Sequence, residues 1–256
     1  MHRFAIGLAV ALGLALAAVL PTAAHAAAPD RWSVATYALE FAGGMEQVDV
    51  YRPAGDAYAG VAVVAHGFTR SRVRHRDLGR ALAAAGVVAV VPDLPSAVNT
   101  WGNGEALARF VETLEDGAVP SLSVRREQVV LIGTSAGGLA SLIAAGKLPG
   151  VAGWIGLDPV DRTGSGTRAA TRLDAPAVVM LAEPSLCNLM TSGRAIAEAL
   201  PRRWRTVDVT DASHCDFEDP TNNFCEAMCG RSSDAAREEI RSEVVVTTRE
   251  LLEAAR

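Results

Sequence analysis

The chain has 256 residues, half of them hydrophobic, which is enough to bury the core of one large α/β domain. Its formal net charge of −5 gives no electrostatic reason to expect nucleic acid as a partner. No internal repeat or low-complexity tract divides the chain, so a single domain is the simplest organisation.

The first 26 residues have the pattern of a secretory signal peptide. A short positive start, MHRF, precedes the apolar run AIGLAVALGLALAAVL, and a small-x-small sequence ends at Ala26. The run is slightly short for a membrane anchor, and the cleavage pattern follows it directly. We therefore expect residues 1–26 to be a signal peptide and residues 27–256 to be one domain, secreted or periplasmic, with no later transmembrane segment.

Beyond residue 45, short apolar runs alternate with segments of helical periodicity. The predicted strands are 47–53, 60–67, 87–93, 127–134, 151–159, 175–184 and 203–210, and the predicted helices are 77–86, 104–116, 135–147, 192–200 and about 233–255. Helices of this length between strands imply crossover connections. The sequence therefore predicts an α/β fold with a doubly wound, mostly parallel sheet and helices on both faces.

The most informative motif is G-x-S-x-G, which Gly133-Thr134-Ser135-Ala136-Gly137 matches between a predicted strand and a predicted helix. The glycines permit a tight turn that raises the serine hydroxyl above the carboxyl edge of the sheet, where such folds place reactive groups. The alternative is a packing turn in which Ser135 only caps the helix. The strand–turn–helix context favours Ser135 as a nucleophile.

A serine hydroxyl needs a base to react near neutral pH. Residues 27–256 offer His66, His75 and His214. In serine hydrolases built on a parallel sheet the histidine follows the nucleophile in the chain, and only His214 does so. We interpret His66 as a structural turn residue. The sequence predicts His214 as the base.

Two carboxylates compete for the role of the acid that orients His214. Asp158 ends the predicted strand 151–159, and Glu183 ends the next one. Asp161 and Asp174 lie nearby. Position alone slightly favours Glu183, because it stands one strand closer to the histidine loop, so the residues themselves leave both candidates open.

An oxyanion formed at Ser135 requires two N–H donors. The first expected donor is the N–H of Ala136, and the second is the N–H of Phe68 in the HGF loop, residues 66–68. Trp101, in the loop sequence NTWGNG, is a candidate for lining a substrate pocket. The arginine-rich stretch 70–76 either begins a helix in solvent or contacts an acidic substrate group or an anionic surface, and charge runs are usually solvated.

Four cysteines, Cys187, Cys215, Cys225 and Cys229, are an even number in a chain expected to be exported. They predict two disulfides whose pairing is undetermined. A four-thiolate metal site fits less well, since no CxxC pair is present. The carboxylates of Asp216, Glu218 and Asp219 lack the pattern of a calcium loop. We expect no metal and no cofactor.

The motifs HGF, GTSAGG, GLDPVDRTGSG and SHCDFED, in this order over roughly residues 45–220, resemble the chlorophyllase branch of the α/β-hydrolases. Bacterial polyester hydrolases and dienelactone-hydrolase-type enzymes are more distant relatives. The resemblance implies that the first aspartate of DPVD, Asp158, is the triad acid, with Glu183 as the alternative. GTSAGG replaces the GHSRGG of chlorophyllases, and the cysteine-rich stretch 215–229 is unlike the plant enzymes, so the resemblance supports the pigment substrate only poorly. Short-chain, lipid, polyester and pigment esters all remain open as substrates.

Together these features predict an exported, monomeric serine carboxylic-ester hydrolase that uses Ser135, Asp158 and His214 on a small-molecule or polymeric ester. One alternative is a lactone hydrolase, an amide hydrolase or an acyltransferase with the same site. Another is a non-catalytic binding protein on a hydrolase scaffold. An intact set of serine, acid, histidine and oxyanion loop argues against the binding protein.

Overall fold

The computed structural model describes residues 31–256, which form one eight-stranded sheet and seven α-helices. The expected signal peptide, residues 1–26, lies outside these residues. The strands are β1 (Trp32–Glu40), β2 (Met45–Pro53), β3 (Val61–Ala65), β4 (Val88–Pro92), β5 (Val129–Thr134), β6 (Gly153–Leu157), β7 (Ala177–Leu181) and β8 (Arg203–Asp208). The helices are α1 (Arg76–Ala84), α2 (Thr100–Glu115), α3 (Ala136–Ala145), α4 (Ser165–Ala170), α5 (Gly193–Ala199), α6 (Asn223–Cys229) and α7 (Asp234–Ala254). Among the helices described, none is long and apolar enough to cross a membrane.

The strand order across the sheet is β1-β2-β4-β3-β5-β6-β7-β8. β1 pairs with β2, and β2 with β4, in antiparallel fashion, whereas all the other pairs are parallel. Every residue of β3, β4, β5, β6 and β7 is buried. Continuous apolar runs are typical of strands that are covered on both faces. The predicted α/β fold with a mostly parallel sheet is therefore confirmed.

Alternate side chains of the central strands pack into two separate apolar layers. On one face, Val63 and Leu131 belong to a cluster that includes apolar residues of α2, α3 and α5. On the other face, Val64 and Ile132 belong to a cluster that includes residues of α1 and α7. The two-residue period of the strands thus places helices on both sides of the sheet.

The parallel strands bring the predicted site residues to a single edge. Ala65 is level with Gly133, Thr134 with Leu157, and Leu157 with Met180, so β3, β5, β6 and β7 end side by side. The pairing of Leu181 with Asp208 continues this edge to β8. The loops that follow these strands carry the predicted nucleophile, acids, histidine and oxyanion donors.

Candidate active site

Ser135 occupies a tight turn between β5 and α3. Its φ of +56° and ψ of −121° are unfavourable for a residue with a side chain, which is typical of a strained functional position. A Cβ atom at Gly133 would lie 2.2 Å from the carbonyl oxygen of Gly137, and one at Gly137 would lie 2.3 Å from that of His66. Glycine is therefore required at both positions for the turn to close, and Ser135 is left partly exposed.

Neighbouring strands hold this turn in place. The Ser135 N–H donates to the Leu157 carbonyl at 3.0 Å, and the Ser135 carbonyl accepts from the Val160 N–H at 3.2 Å. Asp158, the first residue after β6, is also strained, with a φ of +41°, and its N–H donates to the Met180 carbonyl at 2.8 Å. The backbone thus fixes Ser135 and Asp158 relative to each other.

Asp158 and His214 form a buried pair. The Oδ2 atom of Asp158 lies 2.6 Å from Nδ1 of His214, which begins a 3-10 turn (His214–Phe217) after β8. The Asp158 carboxylate also accepts hydrogen bonds from the Ala182 N–H at 3.2 Å and from Nδ2 of Asn188 at 3.1 Å. With the carboxylate at Nδ1, we assign the imidazole proton to that nitrogen, which leaves Nε2 able to accept a proton.

Glu183, the alternative acid, occupies a different environment. Its N–H donates to the Ala212 carbonyl at 3.0 Å and its carbonyl accepts from Nδ2 of Asn188 at 2.9 Å, while its side chain is exposed. Among residues 31–256 its carboxylate makes no hydrogen bond to His214. The pairing geometry therefore favours Asp158 over Glu183, in agreement with the family resemblance and against chain position.

Asn188 is a residue of the site that the sequence analysis missed. It is fully buried in the loop between β7 and α5, and its Oδ1 accepts from the N–H groups of Ser185 and Thr191 at 2.9 and 3.0 Å. These bonds orient its amide so that Nδ2 points to Asp158. No motif marks this residue, because its function depends on a contact with a residue 30 positions earlier.

The loop after β3 lies beside Ser135. A Cβ atom at Gly67 would be 3.3 Å from the Cβ of Ser135, so glycine permits this close approach. Within the described part of the chain, neither the Phe68 N–H nor the Ala136 N–H donates to another protein group. Both predicted donors therefore remain available to a ligand oxygen next to Ser135.

His66 links two strand ends instead of facing the nucleophile. Its Nε2 accepts from the Leu94 N–H at 2.9 Å, and its Nδ1 lies 2.9 Å from the Gly67 carbonyl. Burial lowers the pKa of His66, which keeps the ring neutral. Both nitrogens thus serve the structure, as expected for a turn residue.

The arginine-rich stretch is not simply solvated, contrary to expectation. Arg70 forms a bidentate ion pair with Glu218, with Nε 2.6 Å from Oε1, and both side chains are largely buried. The same guanidinium donates to Oδ1 of Asn222 at 3.1 Å. Arg72 binds the carboxylates of Asp49 and Asp93. These arginines bind protein acids, and Arg70 connects the loop after β3 to the His214 loop.

The histidine loop is held by two disulfides, Cys187–Cys229 and Cys215–Cys225. Cys215 directly follows His214, and its bond to Cys225 ties the 3-10 turn to α6. The Cys187–Cys229 disulfide ties α6 to the loop that contains Asn188. The structure thus gives the pairing that the sequence left open.

The acids of the histidine loop are occupied by protein partners. Asp216 accepts from the N–H groups of Ser213 and Ser233 at 2.8 and 2.7 Å. Glu218 binds Arg70, and Asp219 pairs with Arg241. These carboxylates therefore stabilise the loop. Trp101 lies in the first turn of α2 and not in a loop as predicted, because α2 begins at Thr100, capped by Asn99. Its side chain is about half exposed on the same edge of the sheet.

A cavity of about 360 Å³ lies away from this edge, lined by Ala145, Val151, Pro176 and their neighbours. These residues lie at the end of α3 and near the amino ends of β6 and β7. The cavity therefore opens at the opposite side of the sheet from Ser135. We exclude it as the place where Ser135 acts.

Comparisons with known proteins give the family. The chain matches no curated protein at significant similarity. It does resemble the crystal structure of dienelactone hydrolase from Anabaena variabilis ATCC 29413, with a TM-score of 0.65 and 19% sequence identity over 88% of this chain and 98% of that one. This likeness concerns the fold. A family model described as alpha/beta hydrolase family matches residues 62–246. The chain therefore belongs to the alpha/beta hydrolase family.

Proposed function

We propose that the protein is a serine carboxylic-ester hydrolase with Ser135, His214 and Asp158 as its catalytic triad. Membership of the alpha/beta hydrolase family supports a hydrolase activity. The observation that carries the finer proposal is the 2.6 Å contact between His214 and a fully buried Asp158, at the same sheet edge as the strained turn of Ser135. This combination is typical of a serine nucleophile whose proton is taken by a histidine that an aspartate orients.

In the acylation step, Oγ of Ser135 attacks the ester carbonyl carbon and its proton passes to Nε2 of His214. The carbonyl π electrons move to the oxygen, and the N–H groups of Phe68 and Ala136 bind the resulting oxyanion. The carbon–oxygen bond to the alcohol then breaks, and His214 gives its proton to the leaving alkoxide. An acyl-enzyme and a free alcohol result.

In the deacylation step, a water molecule gives a proton to Nε2 of His214 as its oxygen attacks the acyl carbon. The second tetrahedral intermediate collapses, the bond to Oγ breaks, and Ser135 regains the proton. Asp158 stays ionised throughout and stabilises the imidazolium. Asn188 is a positioning residue that keeps the Asp158 carboxylate directed at His214.

Export of the enzyme is the second part of the proposal. Disulfides persist in oxidising compartments and are uncommon in the cytosol. The two bridges are compatible with an extracytoplasmic protein, and the signal-peptide pattern of residues 1–26 points the same way. We infer a mature domain of residues 27–256 that acts as a monomer. The chlorophyllase-like motifs make an ester the expected substrate, without specifying the alcohol.

The test uses a serine-directed fluorophosphonate probe and hydrolysis of p-nitrophenyl acetate. Folded wild-type protein should be labelled and active, and Ser135→Ala should abolish labelling and lower the rate by about 10³-fold or more. Ser242→Ala, at an exposed position on α7, is the matched control and should behave as wild type. Folded wild-type protein that neither reacts with the probe nor cleaves the ester would contradict the proposal.

A further inference from the structure

Several large apolar side chains are exposed around the loops of the proposed site. We call them the apolar rim: Phe68, Trp101, Leu186, Met190, Phe224 and Met228. They follow four different strands, β3, β4, β7 and β8, and each is between 49% and 87% exposed. Exposed apolar residues scattered singly are ordinary, but a group on one face indicates an interaction surface.

Chain neighbours of the rim residues contact the proposed catalytic residues or are bonded to their neighbours. Phe68 adjoins Gly67, where an added Cβ would be 3.3 Å from that of Ser135. Met190 is two residues from Asn188, which binds Asp158. Phe224 adjoins Cys225, whose disulfide partner follows His214. An apolar surface held against the rim would therefore present its ester groups to Ser135.

The apolar rim is fixed in an exposed arrangement. The Cys187–Cys229 disulfide joins the residues next to Leu186 and Met228, and thereby ties the loop between β7 and α5 to α6. These two segments carry four of the six rim residues. Leu189, Met190 and Thr191 have φ values of +51°, +55° and +63°. Strain of this kind in consecutive residues persists where the surroundings impose it, and it concentrates at functional sites. The disulfide holds these two segments together, so exposure of their rim residues does not require a lid to move.

The charges on these loops limit the kind of surface that can dock. On the segments that carry the rim, residues 66–71, 93–101, 183–191 and 214–229, the single arginine is Arg70, which is largely buried against Glu218. Of the six carboxylates on these segments, only that of Glu183 belongs to an exposed residue. An anionic lipid surface is bound through exposed basic residues, which these segments lack, and it would repel the exposed Glu183. A neutral surface carries no such penalty. Methionine, which supplies two of the six rim residues, adapts its shape to irregular apolar partners such as fluid acyl chains.

We propose that the apolar rim docks the protein on the surface of an emulsified neutral acylglycerol, whose ester groups then reach Ser135. The inference rests on the proposed ester hydrolase activity and names its substrate as a neutral, water-insoluble aliphatic ester. Binding to the emulsion surface comes from burial of the apolar rim against the acylglycerol. The reaction is the acyl transfer to Ser135 described above.

The experiment compares three proteins on dissolved p-nitrophenyl acetate and on a tributyrin emulsion. The rim variant combines Leu186→Ser, Phe224→Ser and Met228→Ser. The control combines Val34→Ser, Trp204→Ser and Val246→Ser, which are 43% to 48% exposed on β1, β8 and α7, away from the site. Sedimentation with the emulsion measures adsorption, and circular dichroism verifies that each variant is folded.

The rim variant should lose adsorption, and its rate on tributyrin should fall at least about tenfold more than its rate on p-nitrophenyl acetate, because each substitution removes apolar area from the docked surface. The control should match wild type on both substrates. Equal losses on the two substrates, or a rim variant that adsorbs normally, would overturn the inference. The three proteins are also assayed on polycaprolactone particles. A selective loss by the rim variant on these particles, with tributyrin unaffected, would also overturn the inference and identify a polymer as the occupant.

The two proposals fail in different ways. If wild-type protein cleaves neither substrate, the proposed hydrolase function is wrong, and the docking inference is overturned with it. If wild-type protein cleaves p-nitrophenyl acetate but neither adsorbs to tributyrin nor cleaves it, the function stands and only the docking inference is overturned.

Discussion

The Asp158 carboxylate has no exposure to solvent, yet three groups donate to it: the Ala182 N–H, the Asn188 amide and the His214 ring. A buried carboxylate is tolerated only where such partners replace water. Glu183 keeps its carboxylate in solvent one strand further along the sheet. The two acids therefore differ in surroundings far more than in chain position.

Asp158→Asn should lower kcat on p-nitrophenyl acetate by about 10⁴-fold, because an amide at this position favours the wrong histidine tautomer. Glu183→Gln should keep near-wild-type kcat, since its side chain is exposed. Steady-state kinetics on folded variants would check both. Loss of activity in the Glu183 variant together with retention in the Asp158 variant would reverse the assignment of the acid.

At the same scale, the sequence could indicate Ser135 and His214 but not the acid. A motif predicts the serine, and chain order predicts the histidine. The choice between Asp158 and Glu183 depends on side-chain direction, which follows from the positive φ of Asp158 and its contact with Asn188. Neither fact has a local sequence signal, so only the family resemblance distinguished the two acids.

At the scale of elements, the Arg70–Glu218 ion pair joins the loop after β3 to the loop after β8. Its partners are 148 residues apart in the chain, which is why an arginine-rich stretch could be interpreted as solvated. Both side chains are largely buried, so removal of either one would leave the other charge without a partner. A buried unpaired charge costs far more than an exposed one.

Arg70→Met and Glu218→Met should each lower the free energy of unfolding by about 3–5 kcal/mol, and the double variant should lose less than either single variant. Arg194→Met is the control, because its pair with Asp208 is exposed, and it should cost no more than about 1 kcal/mol. Urea unfolding would measure all four variants. Single-variant losses that simply add in the double variant would show that the pair is not coupled.

The two disulfides should contribute unequally to stability and to activity. The loop-closure model assigns about 4 kcal/mol to Cys187–Cys229, which spans 42 residues, and about 3 kcal/mol to Cys215–Cys225, which spans 10. The shorter bridge adjoins His214, so Cys215→Ser with Cys225→Ser should lower kcat more, although it costs less stability than Cys187→Ser with Cys229→Ser. Urea unfolding and ester kinetics would test this, and the opposite ranking of kcat would contradict it.

Some elements could not be predicted because their sequences lack apolar periodicity. β1 is an edge strand whose side chains are mostly exposed, and it forms because β2 pairs along its whole length. α6 has only seven residues and depends on the cap from Asn222 and the bond of Cys225 to Cys215. In contrast, the five fully buried strands were predictable, since continuous apolar runs bounded by glycine or proline have few other interpretations.

For the molecule as a whole, His75 makes the free energy of unfolding depend on pH. It is fully buried, and neither ring nitrogen has a hydrogen-bond partner among residues 31–256. Burial, with smaller contributions from His66 and Arg70, lowers the pKa of His75 to about 3. The folded protein therefore holds this ring neutral, whereas the unfolded chain protonates it near pH 6.5. The unfolded state binds more protons, so stability falls as the pH drops from about 6.5 towards 3.

Protonation of His75 in the unfolded chain should lower the free energy of unfolding by about 2 kcal/mol at pH 5 relative to neutral pH. The value follows because pH 5 lies about 1.5 pH units below the pKa of histidine in the unfolded chain. His75→Leu removes the titrating ring and fills a similar volume, so its loss of stability between pH 7 and pH 5 should be smaller than that of wild type by this amount. Urea unfolding of both proteins at the two pH values isolates the histidine, because the carboxylates are common to both. Parallel pH profiles would show that His75 is protonated in the folded protein or that it has a partner there.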